Sequence, residues 1–290
     1  MLIGKFGSVH SEISAVWFWN KLKLRGGSRG KGGAEQLAYF CGGFAAIARL
    51  LADEIVRLGG EIRTNSAVTR LDVEDGRAVR VHASGGAVQA DAVVLTAPLP
   101  LSADLLAPHV SPDYLAFLMR IRYLSNLCLV LELDRSLSGL YWLNVNDPSF
   151  PFVGVIEHTN FEPPSSYGGR HIVYLSKYLP ADANLMQMSD PDLLEFSLNA
   201  LRQMFPDFSR DWVKNYHVWR AGYSQPVIEK NYCSLIPDMQ TPLANVYLAT
   251  MAQVYPEDRG TNYAVRSGTR VASLVKERHA QAISYVSGRE

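Results

Sequence analysis

The sequence predicts an α/β protein, because helical and strand-like patterns alternate along the chain. The clearest helical pattern, CGGFAAIARLLADEIVRLGG at residues 41–60, spaces apolar side chains three and four apart and ends at a glycine pair. In DAVVLTAPLP, residues 92–95 form an apolar run typical of a strand buried on both faces. Near the C-terminus, NVYLAT at residues 245–250 predicts a short strand, which is followed by a loop and a final helix.

The composition is that of a globular protein with no overall charge bias. The chain has 290 residues, 48% of them hydrophobic, which is enough for one large domain or two ordinary ones. Lys plus Arg and Asp plus Glu number 28 each, which disfavours nucleic acid and an anionic membrane as partners. The most apolar stretch, IRYLSNLCLVLEL, contains Arg122 and Glu132 and is too short to span a bilayer. It therefore predicts a core strand and no membrane span.

The cysteines and the first residues indicate a compartment. Cys41, Cys128 and Cys233 are far apart and form no CxxC pair, which disfavours a disulfide framework and a zinc site. The opening MLIGKFGSVHSEIS has no sustained apolar run after a basic start, so a secretory signal is not supported. We therefore expect a reducing, cytoplasmic location.

The N-terminal segment ISAVWFWNKLKLR predicts a helix that leads into GGSRGKGG at residues 26–33. The glycine-rich segment does not match GxxxxGK[ST], because its glycines are one residue too close and Gly32 follows Lys31. A mobile basic linker is favoured over a phosphate loop. No GxGxxG occurs elsewhere in the chain, so a complete dinucleotide fold is not predicted.

The central region predicts a sheet with helical cover. Pro98, Pro100 and Pro108 suggest a crossing into this region. Strand-like runs then occur at residues 121–133, 151–157, 170–178 and 211–220, and a helical pattern covers residues 191–205.

The stretch YPEDRGTNYAVRSG, residues 255–268, predicts a turn that enters a helix. Arg259, Gly260, Thr261 and Asn262 would stand at the helix N-terminus, where unpaired N–H groups and the helix dipole favour an anionic group. The alternative is an ordinary helix start capped by Thr261 or Asn262. Spacing alone does not decide between them.

Polar and aromatic residues recur together in YWLNVND, EHTNF and AGYSQP, which could line a pocket or form a core sheet with exposed tips. Glu157, His158, Glu162 and His171 form a loose cluster in the sequence, but HExxH is absent. Because Glu157 and His158 are adjacent on a predicted strand, their side chains would face opposite sides of it. Hydrogen bonding is therefore favoured over metal binding, and without G-x-S-x-G a hydrolase is disfavoured. The candidate pocket residues are Tyr141, Trp142, Asn144, Glu157, His158, Asn160, Tyr223 and Gln225.

These pieces, in this order, resemble the second half of the flavin-dependent amine oxidase superfamily, which includes protoporphyrinogen oxidases and phytoene desaturases. The resemblance rests on residues 42–72, on DAVVLTAP at 91–98 and on the terminal YPEDRGTNYAVRSG. The terminal stretch is also similar to the flavin-contacting turn of UDP-galactopyranose mutases.

The resemblance implies a partial two-domain fold of FAD-linked oxidoreductases. Residues 41–100 and 236–290 would form a discontinuous FAD-binding domain, residues 101–235 an α+β substrate domain, and residues 1–40 a helical segment with a glycine-rich loop on the substrate side. The implied cofactor contacts are Val68, Thr96, Ala97, Pro98, Tyr255, Asp258, Arg259, Gly260, Thr261, Asn262 and Tyr263.

The chain departs from the family pattern at two places. Family members begin with a strand, GxGxxG and a helix, and their Gly-Asp before the last helix is replaced here by Thr250 and Met251. We therefore expect a C-terminal fragment of a longer flavoprotein that lacks the N-terminal dinucleotide-binding βαβ unit, or a partner chain that supplies this motif. Stable FAD binding by the chain alone is not expected.

The function that the resemblance implies is hydride transfer from a small-molecule substrate to flavin, in an FAD-dependent oxidoreductase. No catalytic residue is assigned, although Tyr255, Glu157 and His158 are pocket candidates. A galactopyranose-mutase-like isomerase and a non-catalytic or partner-dependent subunit stay open as alternatives.

Overall fold

A computed structural model describes residues 2–27 and 38–287. Two compact units are present in the described chain. The first contains the chain up to Ile13, a segment ending at Leu51, and Tyr123–Val227; the second contains a segment beginning at Ser14, then Ala52–Arg122 and the chain from Ile228 onward. The predicted boundaries after residues 100 and 235, and the roles assigned to the domains, stay predictions. Most of the predicted glycine-rich linker, residues 28–33, lies outside the described residues.

The first unit is built on a five-stranded antiparallel sheet. Its strand order is β6-β7-β8-β5-β9. The strands are β5 (Tyr123–Leu133), β6 (Trp142–Asn144), β7 (Gly154–Glu157), β8 (His171–Leu179) and β9 (Val213–Pro226), and the helices of this unit are α1 (Leu2–Phe6), α6 (Asn184–Gln187) and α7 (Asp190–Met204).

One face of this sheet forms a core under α7. Side chains alternate between faces along a strand, and β5 accordingly buries Leu129, Leu131 and Leu133 while the residues between them are half-buried. These leucines pack with Leu194 and Leu198 of α7 in one apolar cluster. The helix begins at Asp190, one residue before the predicted pattern, and the Ser189 hydroxyl caps it by accepting a hydrogen bond from the Asp192 amide.

The second unit contains a three-stranded antiparallel meander and a separate parallel strand pair. The meander runs in the order β1-β2-β3, and β4 pairs with β10. These strands are β1 (Val68–Glu74), β2 (Arg77–Ala83), β3 (Gly86–Gln89), β4 (Val93–Leu95) and β10 (Val246–Leu248), and the helices are α2 (Ala15–Gly27), α4 (Leu99–Leu106), α5 (Pro112–Met119) and α8 (Thr261–Ser287). The helix α3 (Phe44–Arg57) contributes residues to both units. No described helix is both long and apolar enough to cross a membrane.

Helices α4 and α5 were missed from the sequence because proline was interpreted as a break. Pro100 and Pro112 stand in the first turns of these helices, where a missing N–H costs no hydrogen bond. The Ser111 hydroxyl accepts from the Tyr114 amide and caps α5. The prolines therefore begin helices here.

Two apolar surfaces of the described chain differ from expectation. Residues 92–95 were predicted to be buried on both faces, but Val94 of β4 is 37% exposed. The amphipathic helix α3 buries none of its side chains. Its exposed apolar residues include Phe44, Leu50, Leu51, Ile55 and Val56.

Candidate functional site

The parallel pair β4 and β10 places two predicted segments at one edge. Val93 pairs with Val246 and Leu95 with Leu248, and the Ala249 amide donates to the Leu95 carbonyl at 3.0 Å. Because parallel strands end at the same edge, residues 96–98 and Thr250 both leave the sheet there.

The segment that follows β4 is held in a defined turn. Pro98 precedes the first residue of α4, and its carbonyl accepts from the Ser102 amide at 3.0 Å. The Ser102 hydroxyl donates to the Ala97 carbonyl at 3.2 Å. Thr96 is exposed, so this turn offers a fixed backbone and an exposed hydroxyl to a ligand.

The N-terminus of α8 carries two backbone donors without a partner among the described residues. The amides of Tyr263 and Ala264 both donate to the Gly260 carbonyl at 3.0 Å. The amides of Thr261 and Asn262 donate to no atom of the described residues, and neither of these side chains caps the helix within them. These free donors, at the positive end of a helix dipole, fit an anionic or electron-rich group such as the phosphates of a dinucleotide.

Gly260 sits where a side chain would intrude. A Cβ on this residue would lie 3.0 Å from Asn262 Oδ1, so a larger residue would push the Asn262 side chain aside. The absence of a side chain lets a ligand approach the backbone here.

The turn before α8 is fixed by ionic and aromatic contacts. The Arg266 guanidinium donates to both oxygens of Glu257, at 2.8 and 3.1 Å, and lowers the pKa of that carboxyl. The same guanidinium stacks on the Tyr263 ring, 4.7 Å from its centroid. The Tyr255 ring lies 5.6 Å from that of Tyr232. The predicted cofactor residues Tyr255 and Asp258 thus lie in an anchored turn, and Thr261, Asn262 and Tyr263 begin α8.

Val68 begins β1, is 43% exposed and pairs with Ala83. Its predicted contact with the adenine part of FAD stays a prediction.

Asn245, which the sequence did not single out, links the two sheets of the second unit. Its Oδ1 accepts from the Ala78 amide at 2.8 Å, and its Nδ2 donates to the carbonyls of Ala78 and Asp91 at 2.7 and 2.9 Å. The side chain is only 4% exposed. An asparagine directly before a buried strand was the available signal, because this side chain can pair with a neighbouring backbone.

In the first unit, the Glu157 carboxylate accepts hydrogen bonds from the loop at residues 136–138. Its carboxylate accepts from the Ser136 hydroxyl at 2.7 Å and from the amides of Leu137 and Ser138 at 3.0 and 2.7 Å. The residue is 1% exposed. Because the carboxylate is occupied by these donors, the geometry favours a structural role over that of a base.

His158 lies within an aromatic cluster. Its Nε2 is 2.6 Å from the Tyr167 hydroxyl, and its ring contacts those of Tyr39, Phe161 and Tyr174 at centroid distances of 5.0, 6.4 and 6.0 Å. Burial lowers the pKa of His158, against the opposing effect of the Glu162 charge. The lowered pKa favours the neutral imidazole, which acts as a hydrogen-bonding group.

The other candidate pocket residues fall into two groups. Tyr141 stacks on Phe161 at 5.1 Å, and the Asn160 amide donates to the carbonyls of Ser138 and Leu140. The Trp142 indole donates to Asn144 Oδ1 at 3.0 Å. With Glu157 and His158, these residues lie at the β6–β7 side of the sheet.

Tyr223 and Gln225 belong to β9, at the opposite edge of the sheet. Four strand spacings of about 4.8 Å put that edge roughly 19 Å from β6. The structure therefore does not bring all eight candidates together. Within the described ranges, no three His, Cys, Asp or Glu side chains are grouped to hold a metal ion.

A further set of residues lines the sheet face opposite α7. Cys128 pairs with Ser176 on one side and Trp219 on the other, so the three side chains share this face. Asn126 Nδ2 donates to the Ser176 hydroxyl at 3.0 Å on the same face. Burial raises the pKa of the Cys128 thiol to about 11, which disfavours a nucleophilic thiolate. The sequence missed this face, because alternate residues form a surface only once strand pairing is known.

Comparisons with known proteins agree with the fold. The chain is 24% identical over 248 residues to a chloroplastic/chromoplastic 15-cis-phytoene desaturase of an Oncidium hybrid cultivar, covering 82% of this chain and 42% of that protein. Its fold is similar to a crystal structure from Exiguobacterium sp. 255-15 described as a protoporphyrinogen oxidase, with a TM-score of 0.70 and 18% identity over 95% of this chain and 62% of that one. It is also similar to reduced UDP-galactopyranose mutase, with a TM-score of 0.53 and 14% identity over 67% of this chain and 41% of that one.

The chain thus spans about two fifths of the length of the desaturase and about three fifths of that of the Exiguobacterium protein. A family model for flavin-containing amine oxidoreductases matches residues 6–276. The chain belongs to the flavin-containing amine oxidoreductase family, as the order of its strand, turn and helix motifs suggested.

Proposed function

We propose that this chain forms part of an FAD-dependent oxidoreductase that oxidises a small molecule. The observation that carries the proposal is the pair of amides at Thr261 and Asn262, which have no partner among the described residues and open α8 beside the anchored turn 255–258. Family membership supplies the identity of the ligand as a flavin. Bound FAD would supply the hydride acceptor.

The second unit would hold the cofactor through backbone groups. The amides of Thr261 and Asn262 would donate to its phosphate or other electron-rich oxygens, and Gly260 would allow close approach. The turn at residues 96–98 would contribute its fixed backbone and the exposed Thr96 hydroxyl. Thr250 and Met251 stand where family members have Gly-Asp, so the chain would lack that carboxylate contact.

The first unit would bind the substrate on the sheet face that carries Cys128, Ser176 and Trp219. These groups are aromatic or uncharged, and they would orient a substrate by shape and hydrogen bonding. The aromatic cluster around His158 would border this surface with a neutral imidazole. No residue of this face is assigned as a catalytic acid or base.

The cofactor site would be completed by a dinucleotide-binding strand–turn–helix unit, from a longer form of the protein or from a partner chain. Two surfaces support this. In the part of the chain that the structure describes, β4 pairs only with β10, which leaves its outer edge open at Val94. The apolar residues of α3, among them Leu50 and Ile55, are also exposed.

We also propose a reducing compartment, the cytoplasm. Cys41, Cys128 and Cys233 are all free thiols, and Cys41 and Cys233 are exposed. Exposed unpaired thiols are typical of reducing surroundings.

The test is FAD uptake. The chain and the product of the longest in-frame coding sequence that contains it are purified, mixed with FAD and passed through gel filtration. We expect weak uptake by the chain and retained, coloured flavin in a product that adds a strand, GxGxxG and helix. No flavin uptake by either protein would contradict the proposal and favour a non-catalytic or partner-dependent subunit.

The same preparation separates an oxidoreductase from an isomerase. An oxidoreductase bleaches its flavin when substrate is added without oxygen, because the substrate loses a hydride. An isomerase of the mutase type needs flavin that is already reduced and leaves the redox state of UDP-galactopyranose unchanged. Turnover of this sugar nucleotide only after reduction would replace the proposed reaction with the isomerase.

A further inference from the structure

The helix α2 contacts the turn before α8 at three points. The Ser14 hydroxyl, next to the first residue of α2, is 3.1 Å from the Tyr255 hydroxyl. The side-chain Nδ2 of Asn20 donates to the Pro256 carbonyl at 3.4 Å. Lys21 Nζ forms an ion pair of 2.5 Å with Asp258 Oδ2. The helix therefore follows the turn from Tyr255 to Asp258.

Lys21 is itself held in place. Its ammonium lies 5.0 Å from the centre of the Trp17 ring, one helical turn earlier, and Trp17 is fully buried. The side chains of Lys21 and Asp258 are 22% and 23% exposed, so solvent screens this pair less than an ordinary surface pair. The Lys21 ammonium is therefore held between the Trp17 ring and the Asp258 carboxylate.

Asp258 passes this restraint to the start of α8. Its second oxygen, Oδ1, accepts from the Arg259 amide at 3.1 Å. Arg259 directly precedes Gly260, whose carbonyl accepts from the amides of Tyr263 and Ala264. The ion pair thus fixes the backbone that aims the free amides of Thr261 and Asn262.

The charge of Lys21 has a second consequence. The Asp258 carboxylate lies four residues or fewer from amides that would face an anionic cofactor, and a carboxylate without a counter-ion would repel that cofactor. Lys21 neutralises it. Removing the Lys21 ammonium would take away this positive charge 2.5 Å from the Asp258 carboxylate.

We infer that Lys21 is a positioning residue of the flavin site, acting through Asp258 on the amides at the start of α8. This inference rests on the proposed function for the identity of the ligand. The mechanical part, the hold of Lys21 on the turn, stands on the geometry of the second unit alone.

The experiment compares Lys21→Met with Lys21→Arg, with the double variant Lys21→Met/Asp258→Asn, and with Lys23→Met as the matched control on the same helix. Lys23 is exposed. Hydrogen exchange of the amides of residues 259–264 is measured without cofactor, and FAD affinity is measured by titration.

In Lys21→Met we expect both exchange at these amides to rise and FAD affinity to fall by about tenfold, the size expected when a half-buried ion pair is broken. Lys21→Arg and Lys23→Met should behave like wild type. Adding Asp258→Asn to Lys21→Met should recover part of the affinity, because the carboxylate charge that Lys21 offsets is then gone. A merely structural lysine would give no such recovery.

Equal exchange and equal FAD affinity in Lys21→Met and Lys23→Met would overturn the inference and leave the proposed function in place. If neither the wild-type chain nor its longer in-frame product takes up FAD, although Lys21→Met loosens the turn, the proposed function is overturned and with it the cofactor role of Lys21. Faster exchange with unchanged FAD affinity would overturn the inference alone.

Discussion

The five-stranded sheet of the first unit buries its apolar side chains more completely than the β4–β10 pair of the second unit does. The larger sheet buries one face under α7, where Leu194 and Leu198 are 2% and 0% exposed. The strand pair leaves Val94 partly exposed, and the amphipathic α3 has no buried side chain. An amphipathic helix normally gains most of its stability by burying its apolar face. The difference indicates that the larger sheet covers one of its faces within the described chain, whereas α3 and the β4 strand leave apolar side chains uncovered there.

We expect the largest difference between the two regions from matched leucine substitutions, measured as changes in the free energy of unfolding. Leu198→Ala should lower the free energy of unfolding by about 3 kcal/mol, because it leaves a cavity in the core. Leu50→Ala, at a position 58% exposed, should change it by less than about 0.5 kcal/mol. Urea unfolding followed by circular dichroism measures both. A cost at Leu50 as large as that at Leu198 would mean that α3 is already covered in solution, for example by a second copy of the chain.

A substitution at Asn245 tests how much its hydrogen bonds contribute to the stability of the second unit. Asn245→Asp removes the amide donor to the Ala78 and Asp91 carbonyls and places a charge at a 4% exposed site. We expect a loss of about 2 kcal/mol in the free energy of unfolding. Asn199→Asp is the control, since within the described part of the chain the Asn199 side chain uses only its oxygen, as acceptor from Arg202. Equal effects at the two sites would show that Asn245 does not link the sheets.

The smallest effect concerns the pH dependence of the first unit. Since burial lowers the pKa of His158 from its usual 6.5, acid protonates the unfolded chain first and stability falls as the pH drops below that value. His158→Phe should reduce this fall between about pH 7.5 and 5.5. Glu162→Gln should steepen it, because the Glu162 charge raises the pKa of His158. Urea unfolding midpoints at these two pH values measure the fall in stability. An equal fall in wild type and both variants would show that His158 does not cause it.

The sequence predicted the elements whose patterns are local. The helical patterns at residues 41–60 and 191–205, and the helix expected after the turn at residues 259–262, all correspond to observed helices. Helices α4 and α5 were missed because the same proline residue can end one element or begin the next, and only the backbone geometry tells which.

The candidate site was less predictable, because it depends on strand order. Trp142 and Tyr223 occur in similar aromatic motifs, yet they lie on opposite edges of one sheet. The shared face of Cys128, Ser176 and Trp219 comes from three distant segments and has no signature in any one of them. Conversely, the free amides at Thr261 and Asn262 follow from a helix start, which is a local pattern.

The most direct test of the central claim removes one of those amides. Proline is tolerated at the first position of a helix, so Thr261→Pro should keep α8 while deleting an N–H that has no partner among the described residues. Thr261→Ala keeps the N–H and removes only the hydroxyl. FAD titration should show about tenfold weaker binding for Thr261→Pro than for Thr261→Ala, as expected for one hydrogen bond to a charged group. Equal FAD affinities in the two variants, at equal helix content, would contradict the claim that the start of α8 holds the cofactor.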